Sequence, residues 1–158
     1  MYDGKVAADP ETAKKYMQSA DDARLKAIIE AGLARAGADA QVATIGWCFG
    51  GGWSLRTALA AGKRAESCVM FYGMPVTDAA ALAPLQAPVL AIFAAKDNWI
   101  NEEVKDNFIK LAKATGKKLT TETYAADHAF ANPSNPNYNA KAREDANKKA
   151  LAFIQDRW

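Results

Sequence analysis

The sequence predicts an α/β fold, a parallel sheet of about four strands flanked by helices. Apolar runs around residues 41–47, 67–72 and 89–94 read as strands, the last two continuous enough to be buried on both faces. Between them lie segments with apolar residues at helical spacing, so each connection is a crossover between parallel neighbours. With 158 residues, half of them hydrophobic and 24% charged, the chain suits a single domain that buries its core without disulfides.

Asp9-Pro10-Glu11 opens a short helix reaching about Gln18, with Asp9 as N-cap and Pro10 at the first helical position. Ser19, followed by Asp21 and Asp22, starts a second helix whose Leu25, Ile28, Ile29, Leu33 and Ala36 share one face, and Gly37 ends it. The strand at 41–47 leads into a helix from Gly50 to Ala61, stopped by Gly62. The run at 67–72 ends at Gly73 and contains Cys68, read as a core residue. The loop at 74–87 holds one helical turn after Asp78, and the strand that follows Pro88 ends at Lys96-Asp97. Asn101 caps a helix to about Ala114 that turns Val104, Phe108, Ile109, Leu111 and Ala112 inward. Residues 119–124 alternate with Thr and Glu as an edge strand does. A polar loop, 125–138, carries the one histidine, and from Asn139 a final helix sets Ala146, Ala150, Phe153, Ile154 and Trp158 on one face.

The net charge of +2 is spread along the chain and no basic run is interleaved with aromatics, which argues against a nucleic-acid partner. The apolar runs are too short to cross a bilayer, so no membrane partner is expected either. Cys48 and Cys68 fall in different strands and read as free thiols, which favours a reducing, cytoplasmic setting. The first residues show no signal-peptide pattern, although a leader lost from this end is left open. One histidine and two separated cysteines offer no ligand pair at zinc spacing, so neither a metal nor a cofactor is expected.

The chemistry collects around Gly46-Trp47-Cys48-Phe49-Gly50. Glycines two places before and after a nucleophile mark a strand that turns sharply into a helix and exposes that residue at the apex. The expected reason is steric: a side chain at either glycine collides with the crossing strand and helix. The turn also sets the sulfur at a helix N-terminus, where amide N–H groups and the helix dipole favour a thiolate. In parallel sheets ligands bind beyond the carboxyl ends of the strands. Cys48, Asp97 and His128 each follow a strand, so they gather on one edge of the sheet. A thiol whose proton is taken by an imidazole, itself oriented by a carboxylate, is an activated nucleophile. Taken singly, each member has a plainer reading: a buried thiol, a turn-capping aspartate, a solvent-facing loop histidine. Together they favour the triad, because the single histidine falls where a cysteine elbow and a strand-end aspartate require it.

With these residues in view, the chain resembles the dienelactone hydrolase family of α/β-hydrolases. Gly46-Trp47-Cys48-Phe49-Gly50-Gly51 is similar to its elbow, Phe71-Tyr72-Gly73 to its next strand end, Lys96-Asp97 to its acid position and Asp127-His128-Ala129-Phe130 to its histidine loop. The resemblance implies hydrolysis of a small-molecule ester or lactone, with Cys48 as nucleophile, His128 as base and then acid, Asp97 as its orienter, and the Phe49 N–H as an oxyanion donor. Trp47, Tyr72, Trp99 and Phe130 lie near these motifs and are candidates to line an acyl pocket, with core packing as the alternative. The resemblance also implies a further run of strands ahead of the elbow, carrying a second oxyanion donor and a glutamate. The chain has no counterpart to these and reads as the C-terminal half of the fold. Where members that take anionic lactones carry an arginine after the histidine, this sequence has Asn132. A bare edge on the elbow strand predicts a homo-oligomer, with a two-fold dimer as its simplest form. The alternative reading is a shortened relative that keeps the motif without activity and serves as a binding or oligomeric module. A redox thiol protein ranks below both, for want of a Cys-x-x-Cys pair.

Overall fold

The computed structural model describes residue 2 and residues 4–158. The chain forms two compact units, residues 1–40 and 41–158. The first unit holds two helices, α1 (Pro10–Gln18) and α2 (Asp22–Ala36). Asp9 caps α1 by accepting the Thr12 N–H at 2.8 Å. The cap of α2 is Asp21, which accepts the Arg24 N–H at 2.8 Å, and not Ser19, which instead closes α1. Aspartate is as good an N-cap as serine, and a cap at Asp21 leaves Ser19 free to end the preceding helix. Leu25 and Leu33 are buried, whereas Ala36 is exposed.

The second unit is a four-stranded parallel sheet in the order β1 (Val42–Trp47), β2 (Ala65–Phe71), β3 (Val89–Ala94) and β4 (Leu119–Tyr124). Trp47, Phe71, Ile92 and Glu122 stand in one row across it. The residues just past that row therefore emerge on one edge. The helices are α3 (Phe49–Ala61), the single turn α4 (Ala79–Leu82), α5 (Glu102–Ala114) and α6 (Ala140–Gln155).

Side chains alternate across a parallel strand, so a core forms on each face. On one face α3 lies over β1 and β2. There the Ser54 hydroxyl sits 3.0 Å from Thr44 Oγ1 and donates to the Val69 carbonyl at 2.9 Å, pinning the helix beneath the elbow. Cys68 is fully buried beside it, and burial pushes its thiol pKa up, as befits an inert core residue. On the other face Val69, Phe71, Leu90, Ile92 and Ala94 pack with Ala142, Ala146 and Ala150 of α6, whose small side chains let the helix lie close. Asn139 caps α6 through the Ala142 N–H.

Two further burial expectations change. Ile109 is exposed because the inward stripe of α5 runs through Phe108 and Ala112, and one further residue turns 100° off it. Trp158 is 67% exposed because α6 ends at Gln155, before the periodicity reaches it. β1 is buried only on alternate residues, with Ile45 and Trp47 more than two-fifths exposed.

Candidate active site

The turn after β1 bends within one residue. Cys48 adopts φ 54° and ψ −121°, a region that L residues avoid and that costs about 1–3 kcal/mol. Surrounding contacts hold it there. The Cys48 N–H donates to the Phe71 carbonyl at 2.9 Å, and the Cys48 carbonyl accepts the Gly51 N–H at 2.9 Å. A Cβ at Gly46 would lie 2.0 Å from the Gly50 carbonyl oxygen, and one at Gly73 would lie 2.5 Å from the Gly51 carbonyl carbon. Glycine is thus required at 46 and 73. Gly50 departs from expectation: a Cβ there meets nothing within 4 Å. The second glycine of the pattern matters through its backbone, which crowds Gly46, and not through its own missing side chain.

Cys48, Asp97 and His128 converge beyond the strand ends. Cys48 Sγ lies 3.1 Å from His128 Nε2, and His128 Nδ1 lies 2.5 Å from Asp97 Oδ2. The other carboxylate oxygen, Oδ1, accepts the N–H groups of Trp99 and Ile100, both at 2.9 Å. The two readings of Asp97, turn cap and imidazole partner, are therefore both realised, one on each oxygen. The Asp97 side chain is 1% exposed and that of His128 25%, so this charge is shielded from water and aimed at the ring. Burial is the largest single influence on His128 and disfavours its charged form. The hydrogen bonds and charges of Cys48 and Asp97 together outweigh burial and raise its pKa to about 9.

The histidine loop follows β4 through a left-handed Ala129, φ 65°. It folds back so that the Asn139 N–H bonds the Phe130 carbonyl at 2.9 Å and Asn137 Nδ2 donates to the His128 carbonyl at 3.0 Å. Sequence reasoning missed the role of Asn137. Its only signal was a run of Asn, Ser and Pro residues whose side chains build successive turns.

The four aromatic candidates separate. Tyr72, at φ 37°, is buried and puts its ring 5.0 Å from the imidazole, and burial pushes its phenol up to about 12, so it stays protonated. Trp99 is 48% exposed with its ring 5.8 Å from His128. Phe130 is fully buried behind Tyr72, ring to ring at 5.4 Å, and Trp47 stacks on Phe71 at 5.3 Å. Phe49 opens α3 directly after the sulfur. An apolar groove of about 480 Å³ runs along α5 beside residues 74–77, and none of the three converging residues lines it. Among the described residues no three His, Cys, Asp or Glu side chains form a cluster able to hold a metal, and no helix is long and apolar enough to cross a membrane.

Comparison with known proteins bears on the family and the fold. The model of the dienelactone hydrolase family matches residues 1–157. Carboxymethylenebutenolidase 1 of Cupriavidus pinatubonensis is 28% identical over 131 residues, covering 82% of this chain and 55% of that protein. A provisionally named carboxymethylenebutenolidase of Saccharolobus solfataricus is 28% identical over 116 residues, covering 73% of this chain and 44% of its own length. The chain thus spans about half the length of these curated relatives. Among solved structures, a provisionally named dienelactone hydrolase of Klebsiella pneumoniae superposes with a TM-score of 0.77 at 25% identity, covering 95% of this chain and 68% of that one.

Proposed function

The chain belongs to the dienelactone hydrolase family, and from that premise we propose that it hydrolyses small-molecule esters or lactones with Cys48 as nucleophile. The observation that carries the reading is the continuous line from Cys48 Sγ through both nitrogens of His128 to Asp97 Oδ2. His128 Nε2 takes the Cys48 thiol proton as Sγ attacks the carbonyl carbon, and the oxyanion so formed accepts the Phe49 N–H. His128, holding a proton on Nε2, delivers it to the departing alkoxide and leaves a thioester on Cys48. A water molecule then attacks the thioester, His128 takes the water's proton, and the carboxylic acid departs as the sulfur is released. Asp97 keeps Nδ1 protonated throughout and stabilises the imidazolium.

The test is to trap the intermediate. Brief exposure to p-nitrophenyl acetate followed by acid quench is expected to leave an acetyl group on the Cys48 peptide, detected by mass spectrometry and absent in Cys48→Ala. Steady release of p-nitrophenol with no acetyl group on Cys48, or with one elsewhere, would overturn the assignment.

We also propose that this chain associates with itself through β1. Among the described residues no strand pairs with the outer edge of β1, and its Ile45 and Trp47 side chains are over two-fifths exposed. Unpaired apolar edges seek a partner strand, and an isologous contact lets two copies do so at once. Sedimentation velocity at micromolar concentration is expected to show a dimer, and a folded monomer would end this proposal.

A further inference from the structure

We infer that Trp99 is a positioning residue for His128, the solvent-side member of an aromatic pair that holds the imidazole in its protonated form and in its working orientation. This inference rests on the reading of His128 as acid and base. Trp99 is nearly half exposed, yet its backbone is not loose: its N–H is tied at 2.9 Å to Asp97 Oδ1. The same carboxylate takes His128 Nδ1 on its other oxygen. One buried anion therefore fixes both residues, and the two-residue offset from Asp97 brings the indole to 5.8 Å from the imidazole, tilted by 43°. The buried Tyr72 ring stands at 5.0 Å and 58°.

Ring faces within about 6 Å attract a cation and offer a neutral ring much less. Both aromatics therefore favour the imidazolium, against the burial that opposes it. The titratable groups around His128 are Cys48 on the elbow, Asp97 after β3 and Tyr72 after β2. Trp99 carries no titratable group, and its side chain can be replaced without touching the triad. A ring that merely kept water away would have the opposite sign, since drying a cation lowers its pKa and exposing it raises it.

The chain has one histidine, so its imidazole C–H resonance can be followed by NMR through a pH titration of the whole protein, with no substrate present. Trp99→Leu keeps an apolar cover and removes the ring. It is expected to lower the His128 midpoint by about half a pH unit, the size of a partly exposed cation–π contact. Trp99→Phe is expected to restore most of that shift. A midpoint in Trp99→Leu that is unchanged or raised would overturn the inference. Because this reading needs no turnover, it is separable from the acetyl-trapping result: failure to acylate Cys48 removes the hydrolase reading and leaves the titration result standing.

Discussion

Asp97→Asn is expected to lower kcat/KM for p-nitrophenyl acetate by about 10³–10⁴-fold with the fold preserved. The reason lies in how the carboxylate divides its two oxygens. Oδ1 accepts two backbone N–H groups, from Trp99 and Ile100, and Oδ2 faces His128 Nδ1. An asparagine has one oxygen, and two backbone donors claim it, because a buried N–H without an acceptor is costly. The amide NH₂ is then turned to His128 Nδ1, which must present a lone pair. The ring's proton moves to Nε2, facing the sulfur, and the imidazole can neither take the thiol proton nor become an imidazolium. The turn survives while the chemistry fails. Circular dichroism alongside the kinetics checks both halves, and a variant within tenfold of the parent would show that Asp97 serves only the turn.

The second large effect is structural. Gly46→Ala places a methyl 2.0 Å from the Gly50 carbonyl oxygen and 2.4 Å from its carbon, both backbone atoms of the helix that carries the site. The strand is held by its pairing with β2 and the helix turn by its bonds to the Cys48 carbonyl, so a loss of about 4 kcal/mol or more is expected, a large share of the roughly 5–15 kcal/mol that keeps an ordinary domain folded. Gly50→Ala, the other glycine of the motif, finds no atom within 4 Å. It is expected to be neutral or to gain up to about 1 kcal/mol from helix propensity. Urea unfolding of the two variants side by side measures the contrast, and equal destabilisation would refute the steric account.

This contrast also marks what a sequence can and cannot convey. The Gly-x-Cys-x-Gly spacing announces a turn, yet which glycine bears the crowding depends on how strand and helix cross, and spacing does not encode that. β3 was legible to the residue, since Pro88 and Lys96 bracket a continuous apolar run. The meeting of Cys48, Asp97 and His128 followed from topology, each coming just after a parallel strand. The left-handed backbones of Cys48, Tyr72 and Ala129 left no trace, because tertiary contacts and not residue preference impose them. Ser19 and Asp21 both qualified as helix caps, and only the geometry of α1's end decided between them. Trp99 was legible as a neighbour of the site and not as a partner of the imidazole, since that depends on the carboxylate it shares.

The row formed by Trp47, Phe71, Ile92 and Glu122 has a consequence for how the protein assembles. The site draws one group from the end of β1, one from β2, one from β3 and one from β4, and its key contact joins residues 80 apart in the chain. Because a one-residue slip in any strand turns its side chains to the wrong face, no fragment or partly docked intermediate lacking β4 can bring His128 to Cys48. Helix formation takes microseconds, whereas long-range parallel pairing is slow, so the sulfur–imidazole contact belongs to the last stage of folding. The sulfur–imidazole contact is in that sense a clock that starts only when the whole sheet is in register.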